Sequence, residues 1–126
     1  MTAPTFISVE EVLDLHADTL LEEGGLEGLR DYGGLVSATL APQNHWHYTG
    51  GDLFDLAAVL LVHLGRNHPF VDGYKRAAFY AALVFLDLNG LELRQDDDGL
   101  EAATLDAVQG KMTQEQLAEL FRNLAL

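Results

Sequence analysis

The chain has 126 residues, 48% of them hydrophobic, with 20 acidic against 7 basic side chains and a formal net charge of −13. That length fits one domain, residues 1–126, able to bury roughly two-thirds of its unfolded surface, and the apolar content excludes a disordered tail. With no cysteine there is neither a disulfide framework nor a thiolate metal site, and so acidic a surface repels phosphate backbones, which argues against nucleic acid as a partner.

Met1–Val9 has neither the basic nor the apolar region of a leader. Ser8-Val9-Glu10-Glu11 reads as a capping box, and Val12, Leu13, Leu15, His16, Leu20 and Leu21 follow near helical spacing. A helix is predicted from Ser8 to Glu23, stopped by Gly24-Gly25. Gly24–Gly34 holds five glycines and is expected to be a loop. Leu35–Leu40 is predicted as a short helix ended by Pro42, and Gln43–Gly51 as a loop or flap. Asp52 caps a helix over Leu53–Leu64 that is apolar nearly all round and therefore central. This longest apolar stretch, Leu56–Leu64, is broken by His63 and too short to span a bilayer, so no membrane association and a cytoplasmic address are expected.

Gly65–Pro69 is expected to interrupt the central helix, and a second apolar helix runs over Gly73–Leu88 to Asn89-Gly90. Leu91–Leu93 reads as a short extended piece and Gln95–Gly99, with three consecutive aspartates, as a turn. A helix over Leu100–Val108 ends before Gly110, and Thr113-Gln114-Glu115-Gln116 is a second capping box opening a helix to Leu124. Strand patterns and internal repeats are nearly absent, so the fold expected is an all-α bundle whose two most apolar helices flank the loop around His68.

That loop carries the chemistry. Pro69 disfavours helical conformation at His68, leaving the imidazole in a loop on a rigid lead-in. Gly73 permits close backbone approach, and the helix after it points unpaired N–H groups at whatever occupies the loop, which makes an anion site. Lys75 and Arg76 fall in that same first turn, where cations oppose the helix dipole; a bound phosphate would satisfy dipole, amides and side chains together. Asp72 lies between base and cradle, and one carboxylate beside phosphates suits Mg²⁺. His68 is the group able to accept a proton near neutral pH. Taken singly, a loop histidine is ordinarily surface, an aspartate before glycine is ordinarily turn chemistry, and adjacent basic residues are ordinarily a solvated face. Their combination within nine residues is what points to transfer of a phosphate-containing group.

The segment His68-Pro69-Phe70-Val71-Asp72-Gly73-Tyr74-Lys75-Arg76 resembles the signature of the Fic family, His-x-Phe-x-[Asp/Glu]-[Gly/Ala]-Asn-[Gly/Lys]-Arg, and is more similar to its Doc branch. Gly28-Leu29-Arg30-Asp31 with Gly34-Leu35, Asp52-Leu53-Phe54 and Phe85–Gly90 agree with that branch, so the resemblance spans about Leu13–Leu120. It implies a cytoplasmic toxin with an antitoxin partner, using ATP and Mg²⁺. His68 would be the general base, Asp72 the Mg²⁺ ligand, and Gly73, Lys75 and Arg76 the phosphate cradle. Lysine at position 75, where AMP-transferring members carry glycine, implies phosphate transfer to a protein hydroxyl, with elongation factor Tu as the family's target; AMP transfer and a weakened binding module are the alternatives.

Tyr74 departs from the signature, which has Asn, and is expected to reshape the cofactor pocket. The resemblance further implies a target-aligning flap over Asn44–Gly51, with His45-Trp46-His47-Tyr48 as contact surface; a metal site on His45 and His47 is the rival reading. His16 and His63 are expected to be satisfied core or edge residues. Thr19-Leu20-Leu21-Glu22-Glu23-Gly24 matches the [Ser/Thr]-x-x-x-Glu-[Gly/Asn] pattern by which Fic proteins are inhibited, its Glu23 meeting the motif arginine.

Overall fold

The computed structural model describes residues 3–94 and 97–126, with the side chains of 97 and 98 outside that description. It contains α1 (Val9–Glu23), α2 (Tyr32–Tyr48), α3 (Leu53–Asn67), α4 (Tyr74–Leu88), α5 (Asp97–Val108) and α6 (Gln114–Leu124). Among the described residues the only β pairing is two isolated bridges, so the fold is all-α as expected.

Both capping boxes form. The Ser8 hydroxyl accepts from the Glu11 amide while the Glu11 carboxylate accepts from the Ser8 amide, and Thr113 and Gln116 do the same for α6. Asp52 caps α3, with Asp55 returning the bond. α3 is the axis of the molecule. Leu56–Val62, Leu64 and Gly65 are all buried, and α2, α4 and α6 pack most extensively against it. Burial of so many aliphatic side chains, at about 25 cal/mol per Å² of apolar surface, is the main force that orders the bundle.

Two expectations fail. α2 does not stop before Pro42 but runs for 17 residues with Pro42 buried inside it. Proline removes one backbone donor, yet α2 lies along α3, and Leu35, Ala38, Thr39 and Pro42 form its buried face, so tertiary packing holds the helix through the residue that local chemistry reads as a stop. Nor does Gly65 interrupt α3, which continues to Asn67. A side chain at Gly65 would collide with Val108 of α5; the glycine serves close helix packing rather than a break.

Residues 91–93 are the extended piece expected. Leu93 bridges to Ala125, and the Arg94 amide donates to the Leu124 carbonyl (2.7 Å). Of the aspartate turn, Gln95 and Asp96 lie outside the described residues, and Asp97–Gly99 open α5. No helix among the described residues is long and apolar enough to cross a membrane.

Candidate active site around His68

α3 and α4 are successive helices joined by His68–Gly73, so the C-terminus of one and the N-terminus of the other meet at this loop. His68 caps α3 in the left-handed conformation (φ 46°, ψ 58°) and is the only non-glycine residue with positive φ among those described. Such a backbone costs energy for a residue with a Cβ and persists only when its surroundings impose it. Arg30 does so. Its Nε donates to the His68 carbonyl (2.7 Å) and its Nη2 to the Asn67 carbonyl (3.1 Å). A guanidinium at the end of α3 also suits the negative pole of the helix.

The glycine-rich stretch before α2 is not a free loop. Leu29 bridges antiparallel to Phe70, the Arg30 and Asp31 amides donate to the Pro69 carbonyl, and the Val71 amide donates to the Gly28 carbonyl. Gly28, at φ 140°, has Val71 where a Cβ would stand, so that close approach needs glycine. Residues 25–31 therefore form the wall beside the motif loop.

Asp72 is exposed and faces this wall. Its carboxylate accepts from the Leu26 amide (3.2 Å) and from the Gly73 amide (3.0 Å), one bond on each oxygen. Each oxygen keeps a free lone-pair direction, and a hard, exposed oxygen donor is what Mg²⁺ takes. The donor set thus fits the metal, with the remaining ligands left to phosphate and water. From beneath, His16 of α1 donates through Nε2 to the Asp72 carbonyl (2.6 Å) and stacks flat on Phe70 (3.7 Å between centroids, 5°). His16 is the satisfied core histidine expected, but the group it satisfies belongs to the motif. His63 likewise donates through Nδ1 to the Val59 carbonyl (2.8 Å).

Gly73 is the N-cap of α4 and offers no side-chain cap to the amides that open the helix. Lys75 is exposed and Tyr74 half-buried in that turn. The Tyr74 ring lies against the His68 imidazole (3.8 Å between centroids, 46°), and Lys75 Nζ lies over the same ring at 5.6 Å. Burial, then the cations of Arg30 and Lys75, hold the imidazole below its ordinary pKa of 6.5. Tyr74 thus stands against the His68 imidazole as well as in the first turn of α4.

Arg76 is engaged on both sides, with Nη1 on Glu23 of α1 (2.8 Å) and Nη2 on Glu101 of α5 (2.7 Å). Glu23 is the glutamate of the Thr19–Gly24 pattern, and it does meet the motif arginine. Beside Lys75 and Arg76 a cavity of about 470 Å³ opens between α4 and α5, its floor formed by Phe79, Ala102, Thr104 and Leu105.

The flap expectation over residues 44–51 is not met. Asn44–Tyr48 are the last turn of α2, and Trp46 packs on Phe6 and beside Leu53, at the N-terminal end of α3. His68 caps the other end, some 22 Å away for a helix of 15 residues. The metal reading of His45 and His47 fails with it, since residues two apart on a helix point about 200° apart. Arg30 and His16 are the site residues that sequence reasoning passed over.

Three comparisons bear on this arrangement. The family model described as the Fic/DOC family matches residues 6–86. The protein kinase doc of Escherichia phage P1 is 35% identical over 124 residues, covering 94% of each chain. Toxin Doc of Mycolicibacterium smegmatis is 47% identical over 79 residues, 60% of this chain and 59% of that one.

Proposed function

Because the chain belongs to the Fic/DOC family, in its Doc branch, we propose that it is a Doc-type toxin that transfers the γ-phosphate of ATP to a hydroxyl of a protein target, of which elongation factor Tu is the type. The observation that carries the reading is the junction of α3 and α4. One base, one free-edged carboxylate and an uncapped helix N-terminus bearing Lys75 and Arg76 converge there.

In this reading His68 accepts the proton of the target hydroxyl. The hydroxyl oxygen forms the new bond to the γ-phosphorus as the bond to the β,γ-bridging oxygen breaks, and ADP leaves with that electron pair. The amides opening α4 and the Lys75 ammonium face the equatorial oxygens, where charge builds. Asp72 would hold Mg²⁺, which when bound neutralises phosphate charge. Arg76 joins the phosphates by leaving Glu23 and Glu101. The apolar floor of the cavity between α4 and α5 gives the nucleotide base a place to pack. The edge at residues 25–31, which reaches the His68 carbonyl through Arg30, is in this reading the surface from which a target is met.

A second reading, a weakened nucleotide-binding module, is supported by the pairing of Arg76 with two carboxylates. The test is incubation of the protein and Mg²⁺ with a cell lysate and, in separate tubes, γ-labelled and α-labelled ATP. Label passing from the γ position to a protein band is the expected result. Transfer from the α position instead makes the chemistry AMP transfer, and nucleotide binding with no transfer from either leaves the module reading.

A further inference from the structure

Bases of this kind are usually aimed by a hydrogen bond to the second ring nitrogen. Here none is present: among the described residues no hydrogen bond reaches the His68 ring, although its backbone carbonyl is held by Arg30. The aromatic contact to the imidazole is the Tyr74 ring, its centroid 3.8 Å away and tilted by 46°. We propose that Tyr74 is a positioning residue, a packed aromatic wall that sets the orientation of the His68 imidazole where a hydrogen-bonded partner would ordinarily do so. This inference rests on the transfer reading above.

Three features carry it. The left-handed backbone of His68 is fixed from the outside by Arg30, so the side chain starts from a defined Cα–Cβ vector. The Tyr74 ring is itself half-buried on the first turn of α4, a rigid element, and cannot swing away without uncovering apolar surface. Lys75 Nζ over the same ring adds a cation–π contact that loads the ring from its own helix. The charged groups facing His68 are Arg30, from the segment before α2, and Lys75, on α4. Asn at position 74 would be too short to supply such a wall. The substitution therefore alters how the base is held rather than removing a phosphate contact alone.

The test compares Tyr74→Phe and Tyr74→Leu with the parent protein. In the parent, proton NMR is expected to show cross-peaks between the His68 and Tyr74 rings, with the His68 resonances displaced by the ring current. Tyr74→Phe keeps these features and the parent's kinetics. Tyr74→Leu returns the His68 resonances towards the free-imidazole position and raises its titration midpoint. It also lowers kcat by roughly tenfold to a hundredfold, up to the loss that a misplacement of about 1 Å causes, while KM for ATP changes far less. Parent spectra without ring cross-peaks overturn the proposal. So do a Leu variant whose His68 resonances and midpoint do not move, and a Phe variant that behaves like Leu, since the hydroxyl would then be the operative group. The parent spectra decide the matter even where Tyr74→Leu fails to fold. If neither label of ATP is transferred, the transfer reading falls while the NMR comparison still reports on the wall.

Discussion

At the scale of single residues, His68 joins an imposed backbone to an imidazole whose pKa is lowered. In the proposed reading His68→Ala removes the proton acceptor while Pro69 and Phe70 stay buried and keep the loop anchored, so transfer is expected to fall roughly 10²–10⁴-fold with the melting temperature nearly unchanged. The depressed pKa sets the pH profile. Transfer should rise with pH through a midpoint below 6.5. The same shift acts on stability. Above 6.5 neither state holds the proton; as pH falls towards the folded value, the unfolded chain takes it first, and His68's contribution is lost. That slope, read by denaturant titration across pH, should be absent in His68→Ala. The nine-residue motif was legible because its chemistry is contiguous. Arg30 was not, since it lies 38 residues before the carbonyl it holds, and no periodicity connects them. Tyr74 was visible as a departure, but its contact with His68 depends on the turn of chain between two helices.

Among the elements, the amphipathic patterns and capping boxes made five of the six helices readable to within a few residues, because those signals are local. α2 was misread because Pro42 and the paired glycines at 33 and 34 weigh against helix locally, while burial against α3 decides the matter. The flap was misplaced for the same reason. Gly65 shows the reverse case, a glycine read as punctuation that is a packing device. Gly65→Ala should destabilise the protein by about 1–3 kcal/mol, the cost of overpacking. Gly65→Ala with Val108→Ala should recover much of that, as measured in a double-mutant cycle by urea unfolding. The Arg76 ties are partly exposed, and such pairs contribute about 0–1 kcal/mol. Glu23→Gln with Glu101→Gln should therefore barely move the melting temperature. Titration calorimetry should show ATP binding tightened by roughly threefold to tenfold, since the guanidinium no longer has to leave two carboxylates.

For the molecule as a whole, acidic side chains far outnumber basic ones, and two arginines, Arg76 and Arg122, each hold more than one carboxylate. Arg122 of α6 meets Asp52 through Nε (2.7 Å), Asp55 through Nη2 (2.7 Å) and Glu119 through Nη1 (2.9 Å), and so binds the last helix to the first turn of the axial one. Its hydrogen bonds hold the Asp52 carboxyl below 3.8, against the opposing effect of burial. The stability this supplies is complete above that value and is lost as pH falls through the folded one. Arg122→Leu should therefore lower thermal stability at pH 7 and flatten the acid limb of the unfolding curve, and added salt should narrow its gap to the parent.

Arg76 has a related place between α1, α4 and α5, and its two carboxylates come from opposite flanks. A phosphate that claims this guanidinium detaches α5 from one of its anchors at the moment the ligand settles. Ligation must raise global stability by mass action, and a base packed on Ala102, Thr104 and Leu105 covers the middle of α5, so the loosening falls on the end of that helix that Glu101 tied down. In hydrogen–deuterium exchange with nucleotide present, the amides of α3, α4 and the middle of α5 should slow while those of the first turn of α5 quicken. That one turn would then register occupancy as loosening, a change of opposite sign to the one at the site itself.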